Sequence, residues 1–176
     1  FVSVATVLVL VACEGADEPA TPVQVAASAT WPAADGLFHR GDPRWLGADS
    51  AYSIDLGDGR VLWSFGDTFV ATSPADQRSE SKLVRNTVAI QDGLDPRTAS
   101  FAPVWSGADD APTSFFPEHE DRWHWPLHGV RLPDGPLVMF WSILRATPGD
   151  GLGFAGDGWR VVIVDNPTGS PATWQL

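Results

Sequence analysis

Two aspartates stand at nearly equal distances from a tight turn. Asp49 precedes Gly57-Asp58-Gly59 and Asp67 follows it, in the stretch GADSAYSIDLGDGRVLWSFGDTFV that begins at Gly47. In an antiparallel pair, residues opposite one another have numbers that add to a constant set by the turn. A three-residue loop places Asp49 opposite Asp67. A two-residue loop places it opposite Thr68 and beside Asp67. If the pairing persists past the regular strands, either register brings the carboxylates together, with Cβ atoms roughly 5 to 8 Å apart. Like charges that close favour one protonated and one ionised group, which creates a general acid beside a base or nucleophile. Glycoside hydrolysis uses that arrangement. The plainer alternative is that Asp49 caps a turn and Asp67 forms an Asx turn at a strand end.

A second group of candidates lies further on. Trp123, His124, Trp125 and His128 cluster with Glu118, Glu120 and Asp121, while Arg85 and Asn86 open another apolar run. Indole faces stack on sugar C–H surfaces and imidazoles bond hydroxyls, so Trp125, His124 and His128 are candidate substrate contacts, with Arg85 and Asn86 as further hydroxyl partners. Trp63, Trp105, Trp141, Trp159 and Trp174 lie inside apolar runs and read as packing. The spacing of His119, His124 and His128 fits no zinc pattern, and Pro126 and Gly129 would break a helix that aligned them, so no metal site is expected. Neither a Gly-x-Ser-x-Gly elbow nor a phosphate-cradling loop occurs in the sequence, and no cofactor is expected.

The elements that would position these residues read as strands. Runs at 51–56, 60–65, 86–91 and 101–105 make one set of four. Runs at 128–132, 137–144, 159–165 and 172–176 repeat the order, and Leu56-x-Asp58-Gly59 matches Leu132-x-Asp134-Gly135. Two consecutive four-stranded meanders predict an all-β chain built of β-propeller blades, with a sandwich as the competing architecture. A ring closes with about four to eight blades, so the chain is expected to be a fragment truncated in its second blade.

Composition agrees with strands. Nine Trp, nine Phe, fifteen Pro and seventeen Gly accompany a single Met, and no long 3.6-residue period is present. The net charge of −11 offers no basic patch for nucleic acid. Residues 1–12, FVSVATVLVLVA, are too short an apolar run to span a bilayer but suit the centre of a secretory signal whose front is missing. The run ends in Leu10-Val11-Ala12-Cys13, which resembles a bacterial lipobox, and Cys13 is the only cysteine. Acylation of Cys13 and a membrane-anchored place in the bacterial cell envelope are therefore expected, with secretion as the alternative. Residues 13–40 then read as a flexible acidic, Pro- and Ala-rich tether, and 41–176 as the blade region.

The core ADSAYSIDLGDGRVLWSFGDT, with Arg85-Asn86-Thr87 and Trp125-Pro126-Leu127-His128-Gly129, resembles the bacterial family labelled domain of unknown function 4185 (DUF4185). The resemblance runs from Trp45 to Leu176, with the Phe-Gly-Asp-Thr segment its most specific part. It implies a five-bladed propeller of which this chain holds the first two blades. It also implies a glycosidase of the endo-D-arabinanase kind acting on a polysaccharide, with Asp49 and Asp67 as the catalytic pair. Asp67 is the favoured general acid and Asp49 the favoured base or nucleophile, an order that the residues themselves leave open. The alternative from another class is a non-catalytic surface propeller that binds glycans or a partner protein.

Overall fold

The computed structural model describes residues 29–73, 77–133, 135–149 and 151–174. The signal segment and Cys13 lie outside the described residues. The unit Trp31–Leu176 carries every element that follows.

Helix α1 (Pro32–Phe38) opens it, with Pro32 in the first turn, where its missing N–H costs nothing. Seven residues are too few to hold a helix in water. What stabilises this one is tertiary: Leu37 is 2% exposed, and the Phe38 ring packs edge-on to Trp63 at 5.1 Å and Phe101 at 5.4 Å. The last part of the stretch expected as tether is thus packed helix.

Strands β1 (Trp45–Ala48), β2 (Tyr52–Asp55), β3 (Arg60–Phe65) and β4 (Thr68–Val70) follow, and the Gly57-Asp58-Gly59 turn organises all four. Tyr52 pairs with Ser64 and Asp55 with Val61, and the Leu56 N–H donates to the Arg60 carbonyl at 3.0 Å. The loop therefore has three residues and is centred on Asp58. Gly57 and Gly59 sit at φ 77° and 84°, where a side chain would be strained. Asp55 accepts from the Gly57 N–H at 2.8 Å, and Arg60 closes on Asp58 at 2.6 Å, tying the turn from both sides. In the outer pair, Ala48 faces Thr68 and Gly47 faces Phe69. These partners are also centred on Asp58, so one register runs through both pairings.

Next come β5 (Lys82–Val84), β6 (Thr87–Asp92), β7 (Ser100–Val104) and a small hairpin of β8 (Ser106–Ala108) and β9 (Ala111–Thr113). Three long strands finish the chain: β10 (Arg122–Arg131), β11 (Leu137–Ala146) and β12 (Phe154–Val164). The first blade is the four-stranded antiparallel sheet β2-β3-β6-β7, with β1-β4-β5 as a smaller sheet at its end. The second is β10-β11-β12. None of the sheets closes into a barrel, and the all-β architecture is propeller-like.

Alternation decides which side chains meet. Ile54, Leu62 and Val88 on one face of the first blade pack with Leu137, Met139, Trp141, Val162 and Val164 of the second, around Phe115 and Phe116. Trp141 is fully buried there, and its truncation to Ala would cost about 3–5 kcal/mol. The opposite face of the first blade carries Phe65, Ala89 and Phe101 and is covered by α1 through Leu37 and Phe38. Phe140, Trp159, Val161 and Ile163 remain exposed on the second blade.

The expected fourth strand at 172–176 is absent among the described residues. Pro171–Thr173 form a single 3₁₀ turn instead, in which the Thr173 hydroxyl donates to the Ser170 carbonyl at 2.8 Å. Pro171 has no N–H for a ladder, and Trp174 docks on Phe115 at 6.2 Å, with its indole N–H bonded to the Gly169 carbonyl.

Candidate functional site

Asp49 and Asp67 sit where the inner hairpin hands over to the outer one. The Asp49 N–H donates to the Asp67 carbonyl at 3.1 Å, and the Gly66 N–H donates to the Asp49 carbonyl at 3.0 Å. The three-residue register therefore holds beyond the regular strands, and the two acids are direct neighbours. Between β1 and β2 the chain turns through Ser50, a non-glycine residue at φ 51°. Such a conformation costs about 1–3 kcal/mol and persists only where its surroundings enforce it.

The side chains are held differently. Asp67 Oδ1 accepts from Trp125 Nε1 at 2.9 Å, and its Oδ2 lies 3.3 Å from Arg85 Nη1. Arg85 in turn stands over the Trp123 ring, 4.4 Å from its centroid, and its backbone N–H donates to Ser114 Oγ at 2.9 Å. Ser114 Oγ donates on to Glu118 at 2.8 Å. Trp125 is braced edge-on by Phe154 at 4.9 Å and by Trp123 at 6.3 Å. Asp67 is thus fixed by donors from both blades.

Asp49 has no cationic partner among the described residues. Its carboxylate packs against Gly66, where an added Cβ would run into it. Partial desolvation in that position pushes its pKa above the usual carboxylate value, and the negative charge of Asp67 acts in the same direction; bonds from the Asp67 backbone and Ser50 offset part of the rise. The pair therefore divides into a carboxylate oriented by two donors and a neighbour whose pKa is raised. Both line a cleft of about 350 Å³ with Gly47, Ala48, Phe69, Arg78 and Leu83.

Of the residues expected from sequence, the structure brings Asp49, Asp67, Arg85 and Trp125 together. Asn86 it does not: the side chain is fully buried and makes three bonds to backbone. Asn86 Nδ2 donates to the carbonyls of Phe116 and His124 at 3.1 and 3.0 Å, and its Oδ1 accepts from the Phe116 N–H at 2.6 Å. It clamps the first blade to the second and so sets the distance between Arg85 and Trp125, without reaching the cleft.

His124 is 4% exposed and packs on Phe116 at 4.8 Å, on the opposite face of β10 from Trp123 and Trp125. Neither ring nitrogen has a hydrogen-bond partner among the described residues. Burial lowers its pKa, with the Arg160 charge in the same direction; the Pro117 carbonyl pulls the other way without reaching hydrogen-bonding geometry. A neutral core histidine cannot touch a ligand, so the contact expected of it is corrected.

His128 is exposed, but a bulge between Pro126 and His128 resets its register. It stands 6.2 Å from the Tyr52 ring and lines a separate groove of about 670 Å³ that includes Asp55, Leu56 and Gly57. That groove holds neither member of the acid pair. The sequence reading passed over Ser114, Phe154 and Arg78, which reach the site from loops or strand ends with no periodic signal.

A family model described as "Domain of unknown function (DUF5005)" matches residues 33–175. No curated protein matches the chain. Among solved structures, one described as "a putative hydrolase from Bacteroides ovatus" superimposes with a TM-score of 0.61 at 18% sequence identity. The match covers 80% of this chain and 40% of that one, so the matched part spans two fifths of its structural neighbour. At that identity the likeness is one of fold.

Proposed function

Because the chain belongs to the DUF5005 family, whose name states no activity, we propose its function from its own acid pair: it is part of a glycoside hydrolase acting on cell-envelope or extracellular polysaccharide. The observation that carries this reading is the division of labour between Asp49 and Asp67. The pKa of one carboxyl is raised by partial burial and by its neighbour's charge, and the other carboxyl is oriented by Arg85 and Trp125. The description of the Bacteroides ovatus protein as "a putative hydrolase" supports the same reaction class.

Asp49 is the general acid that protonates the leaving glycosidic oxygen. Asp67 is the partner carboxylate, held by Arg85 and Trp125, which attacks the anomeric carbon or takes a proton from the attacking water. This reverses the order favoured from sequence. The physical reason is that Arg85 and the Trp125 N–H donate to Asp67, whereas Asp49 has no such donor pair. Resemblance to DUF4185 supports an arabinofuranose-containing polymer as the substrate, and the lipobox-like segment supports a membrane anchor at Cys13. The test is release of reducing ends from arabinan. Asp67→Asn is expected to lower it by about 10²- to 10⁴-fold with the fold retained. Undiminished release by both Asp67→Asn and Asp49→Asn would sink the reading.

A further inference from the structure

Arg78 joins the acid-pair cleft to a second one. Its Nε and Nη2 both donate to the Leu46 carbonyl, at 3.1 and 2.9 Å, and its guanidinium lies 5.4 Å from the Phe69 ring centroid. Beneath it is Gly47 at φ 122°, where any Cβ would collide with the guanidinium. A carbonyl, a ring and a glycine thus fix an exposed arginine in place, while Nη1 makes no hydrogen bond among the described residues. The ordering cost of such a side chain is already met before a ligand arrives.

Gly47, Ala48 and Arg78 line both the cleft of Asp49 and Asp67 and a cleft of about 400 Å³ that contains Phe38, His39, Trp45 and Phe65. Each falls within the roughly 300–1,000 Å³ typical of small-molecule sites. Meeting at Arg78, they offer a ligand two adjoining spaces rather than one. The second cleft is walled by the half-buried Phe38 and Trp45, while Phe65 is buried, and it has a polar edge at His39 and Asp42, a combination that suits a sugar ring. Two carboxylates in the first cleft and a chain charge of −11 disfavour a polyanion.

We propose that Arg78 is a substrate-binding residue at the junction of two subsites, and that the ligand is a neutral, linear oligosaccharide running from the acid pair past Arg78 onto the Phe38–Trp45 surface. The sugar class rests on the glycosidase reading; the two-cleft geometry does not.

The test is a tryptophan-fluorescence titration of the full chain carrying Asp67→Asn, with arabinofuranose oligosaccharides from monomer to octamer. Affinity is expected to rise with length and then level off. Adding Arg78→Ala is expected to remove about tenfold of that gain, the scale of one charge-assisted bond. Arg78→Lys is expected to restore part of it. Identical length dependence with and without Arg78, no length dependence, or no binding at any length would overturn the proposal. Separate assays of hydrolysis distinguish the two readings. If Asp67→Asn abolishes turnover and binding is blind to length, only the second subsite fails. If length-dependent binding accompanies full turnover in Asp67→Asn, only the carboxylate roles fail.

Discussion

Trp125 and Asp67 are bonded across the junction between the two blades: the indole N–H of one meets the carboxylate of the other at 2.9 Å, over 58 residues of sequence. This bond converts a strand-end aspartate into a group with a defined direction. It also makes the second blade part of a site whose acids both lie outside it.

Replacing Trp125 with Phe keeps a ring against Phe154 and removes only the donor. A bond to a carboxylate is worth about 1.5–3 kcal/mol, so kcat/KM for arabinan hydrolysis is expected to fall by about 10- to 100-fold. The melting temperature should move little. Parental kinetics in Trp125→Phe would remove the indole from the reaction.

Gly66→Ala tests placement rather than identity. The new Cβ would meet the Asp49 carboxylate first and then Ser50 Cβ at 3.1 Å. Asp49 is at the surface and can swing aside, so the expected effect is a misplaced acid in a stable protein. A displacement of about 1 Å can cost about 10² in rate. Thermal melts alongside steady-state kinetics separate the outcomes, and an active Gly66→Ala enzyme would show that Asp49 need not stay where it is.

Asp49 should also leave a signature in pH. Its native pKa lies above the unfolded value of 3.8, so between the two the folded chain holds a proton that the unfolded chain has released. Raising pH through that window lowers stability: the contribution of Asp49 is fully present below 3.8 and lost above the native pKa. Asp49→Asn abolishes this slope, so its stability relative to the parent should climb with pH across the window. Urea denaturation at a series of pH values checks the sign, and parallel curves for the two proteins would contradict it. In activity, the same group predicts a falling basic limb.

The buried clamp gives a stability prediction. Asn86→Leu leaves the Phe116 N–H and the carbonyls of Phe116 and His124 without their side-chain partner. At about 1–3 kcal/mol for each group stranded, a loss of about 3 kcal/mol or more is expected in chemical denaturation. Loss below about 1 kcal/mol would mean that the three backbone groups find other partners.

Much of this was legible in residues alone, for identifiable reasons. Two glycines around Asp58 dictate a loop with left-handed corners, and a loop fixes a register; hence the adjacency of Asp49 and Asp67 followed from counting. Helix α1 was not legible, because its stability resides in the pocket that takes Leu37 and Phe38, and seven residues carry no period. Strand β12 reaches back through a glycine-rich segment to Phe154, which ladder bonds to β11 hold extended against weak local preference. His124 was misplaced by grouping it with neighbours in sequence. Alternation along β10 sends it to the face opposite Trp123 and Trp125, and the same period-two rule would have separated them. Arg78 left no trace, since its position depends on a carbonyl and a bare glycine more than thirty residues away.

The junction bond also bears on when the site comes into being. During folding, the Asp58 hairpin closes early because its partners are near in sequence, and Asp49 then meets Asp67. Trp125 arrives only after the second sheet has formed and docked, a far more distant closure. A chain caught halfway presents two neighbouring acids with no indole to aim either one. Completion of the site therefore reports on completion of the pair of blades.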